Sequence, residues 1–113
     1  MSATEIGRMA EDAAATYLHE HGFEILQQNW RTRWCEIDIV CSKSSVVYFV
    51  ECKYRAKNNW GSGFEYITNK KLQQMHFAAQ FWVAQHRWEG DYSLSAIELA
   101  DNPPQVNEFL KEI

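Results

Sequence analysis

The sequence predicts an α/β fold, on three observations. Residues 6–18 and 72–86 each repeat apolar side chains at the i, i+3, i+4 spacing of a helix with one buried face. Between them lie two apolar runs of strand length, 36–41 and 46–53, and a third run, 92–99, follows the second helix. Helices and strands therefore alternate along the chain, the pattern of α/β architectures. With 113 residues the expectation is one domain, 1–113, large enough for a real core but not for two.

Ser2-Ala-Thr-Glu5 has the form of a capping box, with Ser2 as N-cap. Ile6, Met9, Ala10, Ala13, Ala14, Tyr17 and Leu18 follow on one stripe, and His21-Gly22 supplies a left-handed stop. Glu11 falls on the flank of that stripe, from which a carboxylate can look over the edge of a sheet; a solvated helix acid is the plainer alternative. Phe23-Glu-Ile-Leu26 reads as a short strand, and Asn29-Trp-Arg-Thr-Arg-Trp34 as the turn after it. Here cations and aromatic rings interleave, which suits bases stacked on rings with phosphates on arginines, and equally a dimer contact or a half-buried turn.

Cys35-Glu-Ile-Asp-Ile-Val40 and Val46-Val-Tyr-Phe-Val-Glu-Cys-Lys53 carry the chemistry. Residues two apart on a strand share a face, so Glu36 goes with Asp38, and Glu51 with Lys53. The spacing fits a hairpin with a four- or five-residue loop around Ser42-Lys-Ser-Ser45. Val46 to Val50 is apolar without alternation, as expected of a central strand covered on both faces. Glu51 and Lys53 come at its C-terminal end, the rim where open α/β sheets place ligands. Carboxylates crowded there repel one another and cost several kcal/mol each when buried unpartnered. A divalent cation removes both penalties, and one or two Mg²⁺ (or Mn²⁺) ions suit phosphodiester hydrolysis. Asp38 and Glu51 are the natural ligands, joined by the backbone carbonyl of Cys52, with Glu11 reaching the ion through water. Lys53 would orient the attacking water.

Residues 54–63 lack any period and read as a loop, long enough to be functional or mobile. The second helix begins near Thr68, with Leu72, Met75, Ala79, Trp82, Val83 and His86 inward. Lys70 and Lys71 in its first turn oppose the helix dipole, which makes sense where that end binds phosphate; two solvated lysines are the alternative. Asn102-Pro-Pro reads as a helix start, with Val106, Phe109, Leu110 and Ile113 as the inner side of a short C-terminal helix.

Charge is unevenly spread. Residues 29–71 hold eight basic side chains (Arg31, Arg33, Lys43, Lys53, Arg55, Lys57, Lys70, Lys71) against four acids, a balance of +4, while the flanks total −8. A polyanion can be attracted to the middle of a chain whose net charge is −4. Arg31, Arg33, Trp34, Arg55, Lys57, Lys70 and Lys71 are the candidate nucleic-acid contacts. Three cysteines without a CxxC pair point to reduced thiols that fill the core rather than to zinc or disulfides. No run reaches membrane-spanning length, and the first residues lack the layout of a signal peptide. A cytoplasmic protein is expected.

At these residues the chain resembles the restriction-endonuclease-like superfamily, whose core motif is Asp…(Asp/Glu)-x-Lys. Within it the chain is most similar to the small bacterial YraN family of endonuclease-like, Holliday-junction-resolvase-like proteins. The matching pieces are Gly7-Arg-x-x-Glu11, Gly22-Phe-x-Ile-Leu-x-x-Asn29, Arg31, Glu36-Ile-Asp38, Phe49-Val-Glu-x-Lys53, Arg55, Gly61, and Ile67-Thr68 with Lys71. Cys35 stands where that family usually has Gly, Asn69 where it has Pro, and Asp91-Tyr-Ser93 where its last strand opens Arg-Phe-Asp. The resemblance implies a restriction-endonuclease-like core, a mixed sheet of four to five strands flanked by helices. It also implies a metal site of Glu11, Asp38, Glu51 and Lys53. The expected activity is metal-dependent cutting of DNA, of branched or damaged form, by a homodimer where two strands are cut symmetrically. A non-catalytic nucleic-acid-binding module on the same fold and a protein-interaction domain are the alternatives.

Overall fold

Strand β3 (Val46–Arg55) is the centre around which the other elements assemble. Its run Val47-Tyr-Phe-Val50 is buried on both faces, as its lack of alternation predicts. The computed structural model describes residues 2–55 and 64–113. The element order is α1 (Ala3–Glu20), β1 (Glu24–Arg31), β2 (Glu36–Lys43), β3, α2 (Asn69–His86), β4 (Asp91–Ala100) and β5 (Gln105–Leu110). The strands form one sheet in the order β1-β2-β3-β4-β5. β3 and β4 are parallel and every other pair is antiparallel. This is the mixed sheet flanked by helices that the resemblance implies.

Each helix covers one face. Ala10, Ala14 and Leu18 of α1 pack on Ile39, Cys41, Tyr48, Val50, Ile97 and Leu99. Met75, Ala78, Ala79 and Trp82 of α2 pack on Ile37, Val40, Val47, Phe49 and Leu94. Alanines at both contacts let the helix backbones come close to the sheet. Both helix starts are capped: the Ser2 side chain accepts the Glu5 N–H, and the Thr68 side chain accepts the Lys71 N–H. The Ser2 hydroxyl also bonds the Glu5 carboxylate, at 3.2 Å. Asn69, where the related family carries Pro, is the first helical residue of α2, a position proline favours. Trp82 is tied across the sheet by its indole N–H, 2.6 Å from Gln27 Oε1.

Four expectations are corrected. β1 runs on through Asn29-Trp-Arg31, so the turn is confined to residues 32–35. The β2–β3 loop has two residues rather than four or five: Ser44 and Ser45 take φ of 53° and 66°, the positive pair of a type I′ turn. The C-terminal segment is strand β5, antiparallel to β4, and not a helix. His86 is exposed, stacked on Trp82 with ring centroids 4.0 Å apart, rather than inward. The predicted loop at 54–63 falls, from residue 56 on, outside the described residues, and with it Lys57 and Gly61. Among the described residues, no helix is long and apolar enough to cross a membrane.

Candidate active site

The ladder between β2 and β3 ends at Ile39 and Val50. One more step would set Asp38 opposite Glu51. Instead the Asp38 side chain takes the place of a backbone carbonyl: its Oδ2 accepts the Cys52 N–H at 2.8 Å. Alternation breaks at the same point, for Ile39 packs with α1 while Ile37 packs with α2. Past it β3 continues from Glu51 to Arg55 paired with β4. The two strands fork, and the fork opens a cleft of about 370 Å³ under α1, lined among others by Glu11, Asn29, Arg31, Asp38, Cys52 and Tyr54.

The carboxylates at the fork are held against their preference. Burial, then repulsion by Glu51, pushes the Asp38 carboxyl up to about 7, with Glu11 and Glu36 adding to it and the Cys52 N–H working the other way. Burial and the neighbouring Asp12 raise Glu11, against the pull of Arg31. Glu11 Oε1 is buried and has no hydrogen-bond partner among the described residues. A buried oxygen without a donor costs about 1–3 kcal/mol. Asp38 and Glu11 thus offer hard, anionic oxygens, the kind of donor that Mg²⁺ takes, with Arg31 the cation beside them.

The remaining predicted residues are only partly gathered. Glu51 pairs with Lys71 of α2 at 2.9 Å, on the face away from α1. The Lys53 ammonium lies 5.5 Å from the Tyr66 ring centroid, with the Arg55 guanidinium 5.1 Å from the same ring. The Cys52 carbonyl points to the same side as its N–H, as an extended residue requires, and so toward the fork. Among the described residues, no three acid, histidine or cysteine side chains stand close enough together to hold a metal. Glu36, expected to face the centre, stays exposed and meets Arg31 at 3.6 Å. Arg55 is half of a buried ion pair with Glu98, Nε to Oε2 3.1 Å, rather than a free phosphate contact. Arg33 lies over the Trp34 ring, 5.3 Å from its centroid. Lys70 and Lys71 flank a second cleft, with Trp34.

Two contributions had no signal in the sequence. Lys71 serves as the partner of Glu51, from twenty positions along the chain and across a helix start. Tyr66 supplies a ring under two cations from the segment before α2, with its hydroxyl buried and without a partner among the described residues.

The profile of a family described as an uncharacterised protein family, UPF0102, matches residues 10–99. A UPF0102 protein of Syntrophomonas wolfei is 40% identical over 109 residues, spanning 94% of this chain and 95% of its own length. One from Vibrio parahaemolyticus is 34% identical over 108 residues, 94% of this chain and 89% of its own. One from a Sulfurihydrogenibium strain is 35% identical over 103 residues, 90% of each chain.

Proposed function

We propose, for a chain that belongs to the UPF0102 (YraN) family, that the fork between β2 and β3 is the active centre of a divalent-metal-dependent DNA endonuclease. One observation carries this reading: the half-buried carboxyls of Asp38 and Glu11 line one cleft, and a buried oxygen of Glu11 has no donor among the described residues. Structural acids normally find donors or stay in water; acids held this way are the mark of a site that awaits a cation.

Asp38 and the Cys52 carbonyl would hold Mg²⁺ or Mn²⁺, with Glu11 reaching it through water; Glu51, turned toward α2, would join them only on leaving Lys71. Such an ion lowers the pKa of bound water and polarises a phosphoryl oxygen. A bound cation would favour the ionised form of Asp38. Lys53 would orient the attacking water and favour its hydroxide form. Arg31, Arg33, Lys57 and Lys70 draw in the phosphate backbone. The substrate class is DNA, with branched or damaged forms as the first to test, and symmetric cutting would call for a homodimer.

The Lys71–Glu51 pair favours a second reading, in which an ammonium stands permanently in place of a metal and the fold binds nucleic acid without cutting it. One experiment separates the two. Labelled linear, flap, nicked and junction DNAs are incubated with Mn²⁺ or Mg²⁺ and wild type, Asp38→Ala or Lys53→Ala. The endonuclease reading expects metal-dependent cutting that both variants lose, and a metal-induced rise in Tm absent from Asp38→Ala. Salt-dependent DNA binding with no cutting of any substrate refutes catalysis and leaves the binding module.

A further inference from the structure

We infer that the cleft between the β1–β2 turn and the outer side of α2 binds an unpaired nucleobase, so that the DNA engaged here is single-stranded at that point. The inference rests on the nucleic-acid reading above and names the form of its substrate. The cleft measures about 520 Å³ and is lined by Trp34, Glu36, Lys70, Lys71, Gln74 and Phe77, with neighbours. That size falls in the usual range of small-ligand sites, roughly 300–1,000 Å³.

Its apolar surface is aromatic and uncovered. Trp34 is 65% exposed and Phe77 51% exposed. Phe81 links them, its ring centroid 5.7 Å from that of Trp34 and 6.2 Å from that of Phe77. The exposure of Trp34 is built in. Thr32 Oγ1 accepts the N–H groups of Trp34 and Cys35 at 3.0 and 3.1 Å, and the Thr32 N–H donates to the Cys35 carbonyl at 2.8 Å. A stiff turn thus presents the ring already ordered, so little entropy is lost when something stacks on it.

Charge and hydrogen-bonding capacity select the partner. Residues 66–88 contain no Asp or Glu, in a chain that has 15 of them. Lys70 and Lys71 sit at the N-terminal end of α2, where backbone N–H groups add to their attraction for phosphate. The Gln73 and Gln74 amides beside the rings can donate to or accept from a base edge. A duplex keeps its base faces stacked and offers these rings nothing; an unpaired base offers a full π-face. A second copy fits less well, since a two-fold contact sets identical patches together and would bring Arg33, Lys70 and Lys71 against themselves. Glu36 and Lys71 border both the cleft and the acids of the fork. A base in the cleft would thus place its strand beside Glu36 and Glu51, at the α2 side of the fork.

The test is fluorescence anisotropy with labelled oligothymidylate of about 15 nucleotides and a duplex of equal length, in EDTA so that no cutting intervenes. The expected result is tighter binding of the single strand. Trp34→Ala should weaken it roughly ten-fold or more, from a stacking contribution of about 1–3 kcal/mol per base. Trp34→Phe should restore most of it, and Tm and duplex binding should stay unchanged. Trp34→Ala and Phe77→Ala binding the single strand like wild type would overturn the inference. So would equal affinity for duplex, or a wild-type dimer that Trp34→Ala dissociates. Trp34-dependent binding in a wild type that cuts nothing would refute the nuclease and keep the cleft; cutting with Trp34-independent binding would do the reverse.

Discussion

Asp38→Asn should stabilise this protein at alkaline pH, contrary to the usual outcome of altering a buried, hydrogen-bonded residue. The amide keeps an oxygen for the Cys52 N–H and removes the charge that burial and Glu51 oppose. The sign follows from proton linkage. An acid whose folded pKa is raised binds its proton more tightly when folded, so its contribution is fully present below its unfolded pKa and is lost as pH rises through the folded value. For Asp38 the window runs from the ordinary 3.8 to about 7. A shift of that size sets a ceiling of about 4 kcal/mol on the penalty that wild type carries above the window. At ~4 °C per kcal/mol for a domain of this size, the variant should melt on the order of 10 °C higher at pH 8 in EDTA. The gap should narrow steadily as pH falls, to less than half its size by pH 5, and vanish only below the ordinary value of 3.8. Thermal melts of both proteins from pH 3.5 to 8 supply the measurement, and the difference between them cancels the titrating groups that do not face Asp38. A gap independent of pH, or a variant that is less stable at pH 8, would show that Asp38 carries no such penalty and would remove the main support for a cation site.

Two further outcomes are expected. Replacing Ser44-Ser45 with Asn-Gly should add about 0.5–1 kcal/mol, because those residues tolerate the positive φ both positions require; a urea titration reads it, and no gain would mean that the turn relaxes to another type. Lys71→Ala should cost less than about 1 kcal/mol in EDTA, as a partly solvated ion pair does. It should also lower the Mn²⁺ concentration needed for half of the metal-induced rise in Tm, since Glu51 no longer has a competing cation; a higher requirement would show that Lys71 helps to form the site.

The elements that could be read from the sequence are those whose side chains repeat regularly. α1 announced itself by Ser2, Glu5 and the stripe from Ile6 to Leu18, and β3 by five apolar residues without alternation. β5 was hidden by an irregularity. Its register with β4 shifts between Glu98 and Leu99 and skips Asn107, so Val106 and Phe109 both reach the α1 side from positions three apart. Spacing of three in a short segment after two prolines imitates a helix. β1 is disguised in the same way: its register shifts at Leu26, and Asn29 takes a φ of 54°. The tight turn was missed because two serines occupy positions where Asn-Gly would have declared it.

The site divides along the same line. That Asp38 and Glu51 come near one point of the sheet was the expectation from strand periodicity and a hairpin; burial first, and then Glu51, raises the Asp38 carboxyl, but the two side chains turn to different helices. What each carboxylate touches did not follow. Periodicity places Cβ atoms on faces, but partners depend on elements distant in sequence: Lys71 arrives through α2 and takes Glu51, while the Cys52 N–H, left over where the ladder ends, takes Asp38. Both satisfied contacts come from β3 and α2, the elements on the far side of the fork. Glu11, carried in by α1 from the near side, finds none for its buried oxygen. An acid cluster built only for stability would have paired its members alike. Among the described residues the shortage falls on Glu11, which faces the cleft, while the Lys71 ammonium is spent on Glu51, turned away from it, so a cation entering the cleft meets its strongest unmet demand at Glu11, with Asp38 beside it.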